Sequence, residues 1–142
     1  MIEPQAHLNK TDCFHGILSR NSQMHRLFEK IHKAAQTSAS IYISGETGVG
    51  KELVARAIHA ESPRAKQPFV AVNVATLSSE LVECQLFGYK KGAFTGALHN
   101  RTGLLQAAKQ GTFFLDEIAC LTPSTQAKLL RVLQECQYYP VG

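Results

Sequence analysis

Met24, Leu27, Phe28, Ile31 and Ala35 recur at the three-and-four spacing of an amphipathic helix, and Glu29 precedes Lys33 by four residues, the favourable ion-pair order. A helix is predicted from Ser22, capped by Asn21 or Ser22, whose side-chain oxygens can accept a first-turn N–H. The β-rich run Ile41-Tyr42-Ile43 predicts a first strand, ending at Ser44 where the glycine-rich stretch Gly45–Gly50 begins. A second helix follows with Leu53, Val54, Ala57 and Ile58 on one face, and it must stop before Pro63. Phe69–Val72 predicts a second strand, and helical character returns over Glu80–Phe87 until Gly88, Gly92 and Gly96 interrupt it. A short helix over Leu104–Lys109 leads through Gly111 to a third strand, Thr112–Leu115. The last helix has a clear start, with Thr122 as cap and Pro123 at the first helical position. Its apolar face reads as Ala127, Leu130 and Leu133, widened by Leu129 and Val132. Helices alternating with strands indicate the α/β class with a parallel sheet. Residues 1–16 show no period and read as a leader or linker.

Composition narrows the class of protein. A chain of 142 residues fits one domain, and one of this size buries about 68% of the surface its unfolded form exposes. Hydrophobic residues at 44% and charged residues at 18% describe a globular chain rather than a disordered one. No apolar run approaches the ~18 residues of a membrane span, and the N-terminus lacks the apolar stretch of a signal peptide. No membrane partner and a cytoplasmic location are therefore expected. The net charge of +4 favours anionic partners only weakly. Its basic residues are scattered, so direct DNA binding by residues 1–142 is not expected. The four cysteines lack CxxC spacing and no HExxH pattern occurs, so reduced, structural cysteines and non-ligating histidines are expected.

Gly45-Glu46-Thr47-Gly48-Val49-Gly50-Lys51 fits the first seven positions of a phosphate-binding loop. Glycines let the backbone turn tightly and aim N–H groups at phosphate oxygens. The helix that begins there adds its unpaired N–H groups and positive dipole end, and Lys51 supplies a full charge. The bland alternative, a glycine turn with a solvated lysine, is disfavoured by the position between an apolar run and an amphipathic helix. Glu52 stands where a Ser or Thr hydroxyl normally touches magnesium. It has two readings, a water-mediated hold on the ion or a pair with Arg56 four residues on.

Phe113-Phe114-Leu115-Asp116-Glu117 reads as a buried strand ending in two carboxylates, and ligands of open parallel sheets sit at such carboxyl ends. Asp116 is the candidate magnesium ligand and Glu117 the candidate base that orients and deprotonates water. Alone, the pair is equally a solvated turn; its weight comes from lying downstream of the glycine loop.

Gly92-Ala93-Phe94-Thr95-Gly96-Ala97 is the most specific motif. Two glycines bracket an aromatic that is either held in water for a partner or folded back into the core. Within LFGYKKGAFTGA, and together with GETGVGKE, GTFFLDEI and QAKLLRVLQ, it resembles the sigma-54-dependent transcription activators, a branch of the AAA+ ATPases. The resemblance covers Ile17–Gly142. It implies a P-loop NTPase with a three-layer α/β/α parallel sheet, incomplete on its C-terminal side, and ATP with Mg2+ as cofactors. It also implies that the loop of Gly92, Ala93, Phe94, Thr95, Gly96 and Ala97 contacts the sigma factor of RNA polymerase, with Phe94 and Thr95 touching it.

Residue by residue, the resemblance makes Lys51 the P-loop lysine, Asp116 the magnesium ligand, Glu117 the catalytic base and Asn73 the asparagine that restrains it. Glu52 agrees with the family, which carries Glu there. Ser19, Val74, Cys84-Gln85 and Leu105-Gln106 depart from its pattern, the last removing a glutamate beside the sigma-contacting loop. Family members act as hexameric rings and read DNA through a further domain. The arginine fingers, lid and DNA-reading helices lie beyond the position matching Gly142. The resemblance therefore implies ATP-driven remodelling of the polymerase by the intact protein. For the chain alone it leaves a second reading: nucleotide and sigma-factor binding without turnover and without a stable ring. In such a sheet a strand would separate Ile41–Ser44 from Thr112–Leu115. The two are expected to pair directly, or the tail Tyr138–Val141 or a second molecule to fill the slot, since unpaired buried backbone groups cost about 1–3 kcal/mol each.

Overall fold

In a computed structural model of the chain, which describes residues 13–78, 81–135 and 137–142, the first helix starts where its cap predicts. Asn21 stays extended and accepts the Gln23 N–H at 2.8 Å, opening α1 (Ser22–Ala35). The backbone divides into two units, Met1–Ala65 and Lys66–Gly142.

The first unit holds the short antiparallel strands β1 (Cys13–Phe14) and β2 (Ile17–Leu18), α1, and α2 (Lys51–Glu61). Phe28, Ile31 and Ala57 form its core, with Phe14, Ile17, Met24, Leu27, Val54 and Ile58 packed around them. Burial of each large side chain contributes about 1.5–3 kcal/mol. Phe14 stacks on Phe28 at 4.6 Å, so residues 13–16, within the stretch read as a leader, belong to the packed unit. Residues 1–12 lie outside the described residues. Glu61 ties the elements together: its carboxylate accepts from His15 Nε2 at 2.5 Å and His32 Nδ1 at 2.7 Å, and its carbonyl accepts from Gln36 Nε2.

Two expectations fail here. Residues 41–44 carry no strand, and Ile41 and Tyr42 are exposed. Three β-formers supply propensity, but a strand exists only through its ladder, and propensity alone does not create one. On α2, Leu53 is exposed while Ala55, Ala57 and His59 are buried. Small residues let α2 pack closely, and the bulky Leu53 is turned outward.

In the second unit β3 (Phe69–Asn73) pairs in parallel with β6 (Thr112–Asp116), residue 69 against 112 through 73 against 116. Pro68 O accepts the Thr112 N–H at 2.9 Å where the ladder begins. A side chain at Gly111 would run into Pro68, so glycine is required there. The remaining elements are α3 (Val82–Phe87), β4 (Gly88–Tyr89), β5 (Arg101–Thr102), α4 (Leu104–Ala107) and α5 (Pro123–Glu135), with 3-10 turns at Val74–Thr76 and Ile118–Cys120. Glu80, at the predicted start of the third helix, lies outside the described residues. Val72, Val74, Val82, Leu86, Phe87, Leu121 and Leu129 make the core.

Residues 41–44 form no strand, so the expected pairing with Thr112–Leu115 is not found; β6 pairs with β3. The tail does pair, but elsewhere: Val141 forms a parallel bridge with Tyr89. The face predicted for α5 is also corrected. Thr125 and Leu129 are buried and Val132 half-buried, while Ala127, Leu130 and Leu133 are exposed. The cause is polar. Glu83 on α3 accepts from Thr125 Oγ1 at 3.0 Å, Ser124 Oγ at 3.3 Å and Lys128 Nζ at 2.5 Å, which turns that side of α5 inward. Thr122 caps the helix as predicted, its Oγ1 accepting the Thr125 N–H.

Both carboxyls lie below their ordinary value of 4.5. Hydrogen bonds from His15 and then His32 lower Glu61, and that from Lys128 lowers Glu83; burial opposes in each case. A carboxyl lowered on folding adds stability above its unfolded value and loses it as pH falls through the folded one. Glu83→Ala is expected to cost about 1–2 kcal/mol near neutral pH. In urea melts the gap to the native chain should close as pH drops below 4.5; a gap independent of pH would show that Glu83 acts by shape alone.

Candidate functional site

Residues 45–51 curl into a loop that ends on α2. Gly48 and Gly50 adopt φ of 83° and 92°, the left-handed region open to glycine. Gly50 is the N-cap of α2 and brings no side chain to its first N–H groups. Such a helix start, with a positive dipole end, attracts phosphate. Lys51 Nζ folds back and donates to the carbonyls of Gly45 at 3.2 Å and Glu46 at 3.0 Å. The loop is thus held in a curl by the side chain whose charge a phosphate would take up. Gly45, Glu46, Thr47, Gly48 and Val49 are exposed. Of the two readings of Glu52, the pair is present: its Oε1 accepts from Arg56 Nε at 2.9 Å and Nη2 at 2.6 Å. That pair is about half exposed, and such surface pairs contribute little to stability.

In the second unit the β3–β6 register sets Asn73 beside Asp116 at the carboxyl ends of both strands. Asp116 is half-buried, and its Oδ1 accepts the Glu117 N–H at 3.0 Å. Glu117 takes φ 54° and ψ 42°, a left-handed conformation that disfavours a branched or bulky side chain. It leaves the strand sharply and caps the following 3-10 turn through its carbonyl, which accepts the Cys120 N–H. Asn73 Oδ1 accepts the Ala75 N–H at 2.9 Å. With that oxygen engaged, what the amide still offers is its NH2, the donor a carboxylate needs.

The loop after β4 is closed on itself. Ala97 O accepts the Gly92 N–H, Phe94 O accepts the Ala97 N–H, and Asn100 Oδ1 accepts the Lys91 N–H at 2.8 Å. Gly92 and Gly96 have φ of 85° and 101°. Ala97 is buried beneath the turn, Ala93 is half-buried and Thr95 is exposed. Of its two predicted places, Phe94 takes the exposed one rather than the core. Its ring meets Tyr89 edge-on at 5.0 Å and remains 38% exposed. Leu98, just past the motif, is 69% exposed.

Sequence reasoning missed the tail. Val141 N–H donates to Gly88 O and Val141 O accepts the Lys90 N–H, clasping the base of the loop. Tyr138 Oη–H donates to Gln106 Oε1 at 2.6 Å beside it. A tyrosine after a helix gives no signal of such a bond; only the fold reveals it. Among the described residues no group of three His, Cys, Asp or Glu side chains is placed to hold a metal by itself. No described helix is long and apolar enough to cross a membrane.

A family model described as the sigma-54 interaction domain matches residues 17–142. The transcriptional regulatory protein GlrR of Escherichia coli is 50% identical over 127 residues, 89% of this chain and 29% of that protein. XylR of Pseudomonas putida, also a transcriptional regulatory protein, is 54% identical over 117 residues, 82% of this chain and 21% of its own length. The crystal structure of Brucella abortus NtrX in complex with ATP superposes with a TM-score of 0.78 at 43% identity, over 87% of this chain and 26% of that one. The chain therefore spans roughly a quarter of the length of the relatives it matches.

Val141→Pro removes the N–H that bonds Gly88 and tests the clasp. Hydrogen exchange at the Lys90 amide and through residues 92–97 should quicken severalfold. Unchanged exchange would mean the loop base is held without the tail.

Proposed function

This chain belongs to the sigma-54 interaction domain family, and from that membership we propose that it binds ATP with Mg2+ and presents residues 92–97 to the sigma factor. The intact protein, in this reading, is a cytoplasmic activator that couples hydrolysis to remodelling of sigma-54 RNA polymerase.

The observation that carries the reading is the curled loop 45–51 at the start of α2. The first N–H groups of α2 and the Lys51 ammonium would take the phosphates, Lys51 exchanging two carbonyl partners for phosphate oxygens. That ATP is bound by NtrX, 43% identical, supports the same ligand here. Mg2+ prefers one or two carboxylates, with phosphate and water completing its shell. Asp116 fits that demand, because only its Oδ1 is engaged, by a backbone N–H. When bound, the ion neutralises phosphate charge. Glu52, paired with Arg56, is then a charge partner of the helix rather than a direct ligand. Glu117 orients the attacking water and accepts its proton, and the Asn73 NH2 restrains Glu117 until it is needed. Phe94 and Thr95 touch the sigma factor.

The chain alone is proposed to bind without turning over. Arginine fingers supplied across subunits accelerate such reactions on the order of a thousandfold or more, so an isolated copy lacks the groups that a neighbouring subunit would bring.

Titration with a fluorescent ATP analogue and Mg2+ should give saturable binding, and Lys51→Ala should weaken it about tenfold or more, as expected for losing a charge-assisted bond. No binding at saturating nucleotide would sink the assignment. Phosphate release by the chain should stay at background, the same with Glu117→Gln. Sustained release abolished by Glu117→Gln would show that the chain is a complete ATPase.

A further inference from the structure

The closed loop 90–100 sorts its apolar side chains by accessibility, and the order is not that of the motif. Ala97 is buried, and Phe94 is propped on Tyr89. Leu98 is 69% exposed, on a backbone fixed by its own N–H, which donates to Gly96 O at 2.9 Å. A single exposed leucine is ordinary on a protein surface. This one stands on a loop that is hydrogen-bonded shut around it, so it does not fold inward by a simple rotation of a free segment. Its sequence neighbours carry one sign of charge. Residues 88–102 contain Lys90, Lys91 and Arg101 and no Asp or Glu. All three are exposed, and they enter none of the ion pairs among the described residues.

We propose that Leu98, on a loop whose base carries Lys90, Lys91 and Arg101, is an apolar anchor of the sigma-factor contact beside Phe94 and Thr95, and that it takes an apolar side chain flanked by carboxylates. This rests on the reading that the loop meets the sigma factor, and adds the residue and the chemistry of its target. An acidic apolar segment satisfies both features of the surface: the leucine desolvates against the apolar side chain while the basic rim steers and pairs the carboxylates. A nucleic-acid backbone would use the rim and leave Leu98 without a partner, so a peptide is the better fit.

Binding of purified sigma-54 to the full chain, with ATP and Mg2+ present, is the test. Leu98→Ser should weaken binding about tenfold, as expected for losing one buried leucine, and Leu98→Met should restore it to within about threefold. Lys90→Glu with Lys91→Glu should weaken it and flatten its dependence on salt. All three variants should bind nucleotide like the native chain, which excludes misfolding. If Leu98→Ser binds normally while Thr95→Ala does not, the anchor is refuted and the loop reading survives. If the native chain fails to bind sigma-54, the loop reading falls and the anchor with it. If the lysine variants lose affinity for duplex DNA and keep it for sigma-54, the surface is a nucleic-acid contact and the proposal is overturned.

Discussion

The close approach of Gly111 to Pro68 sets where Asn73 and Asp116 lie in the second unit. With no side chain at 111, the two strands begin against one another, and Thr112 donates to Pro68 O as the ladder's opening bond. From there each step is dictated by strand geometry, and five residues later Asn73 lies beside Asp116. A slip of one residue would send every side chain of β6 to the opposite face. The carboxylate and the amide are therefore positioned by a contact at the far end of the sheet, where no chemistry occurs.

A second constraint is electrostatic and orders the helices. Glu83 gathers a lysine and two hydroxyls from the first turns of α5, near the positive end of that helix's dipole. The buried α5 face combines this cluster with Leu129 and Val132 of the core, while Leu130 and Leu133 stay outside. Buried polar groups pack well where each is bonded, and no described buried side-chain polar atom lacks a partner.

Much of this was legible from residue order. The cap at Asn21, the Thr122–Pro123 start, the glycine loop before α2 and the carboxylates ending β6 are local signals, written in a few consecutive residues, and each is found where expected. What escaped is set by distant partners. Ile41–Tyr42–Ile43 has the composition of a strand, but a ladder is a property of two segments. The α5 face depended on Glu83, some forty positions earlier in the chain. Phe94 looked either exposed or buried, and it is exposed, its ring edge-on to that of Tyr89, a neighbour the motif alone did not reveal. Glu52 was open until the fold brought the Arg56 guanidinium onto its carboxylate.

The clasp of Val141 on Gly88 and Lys90 has a bearing on how the molecule is made. Everything from β5 through α4, β6 and α5 is enclosed between the partners of that one bridge. Contacts that close long stretches of chain form late, because their entropy cost must be met before they return anything. During synthesis, the loop of residues 92–97 would emerge with its base unfastened, and its final shape must wait until residue 141 has left the ribosome. A nascent chain would thus hold residues 45–51 at the head of α2 well before the loop after β4 is fastened.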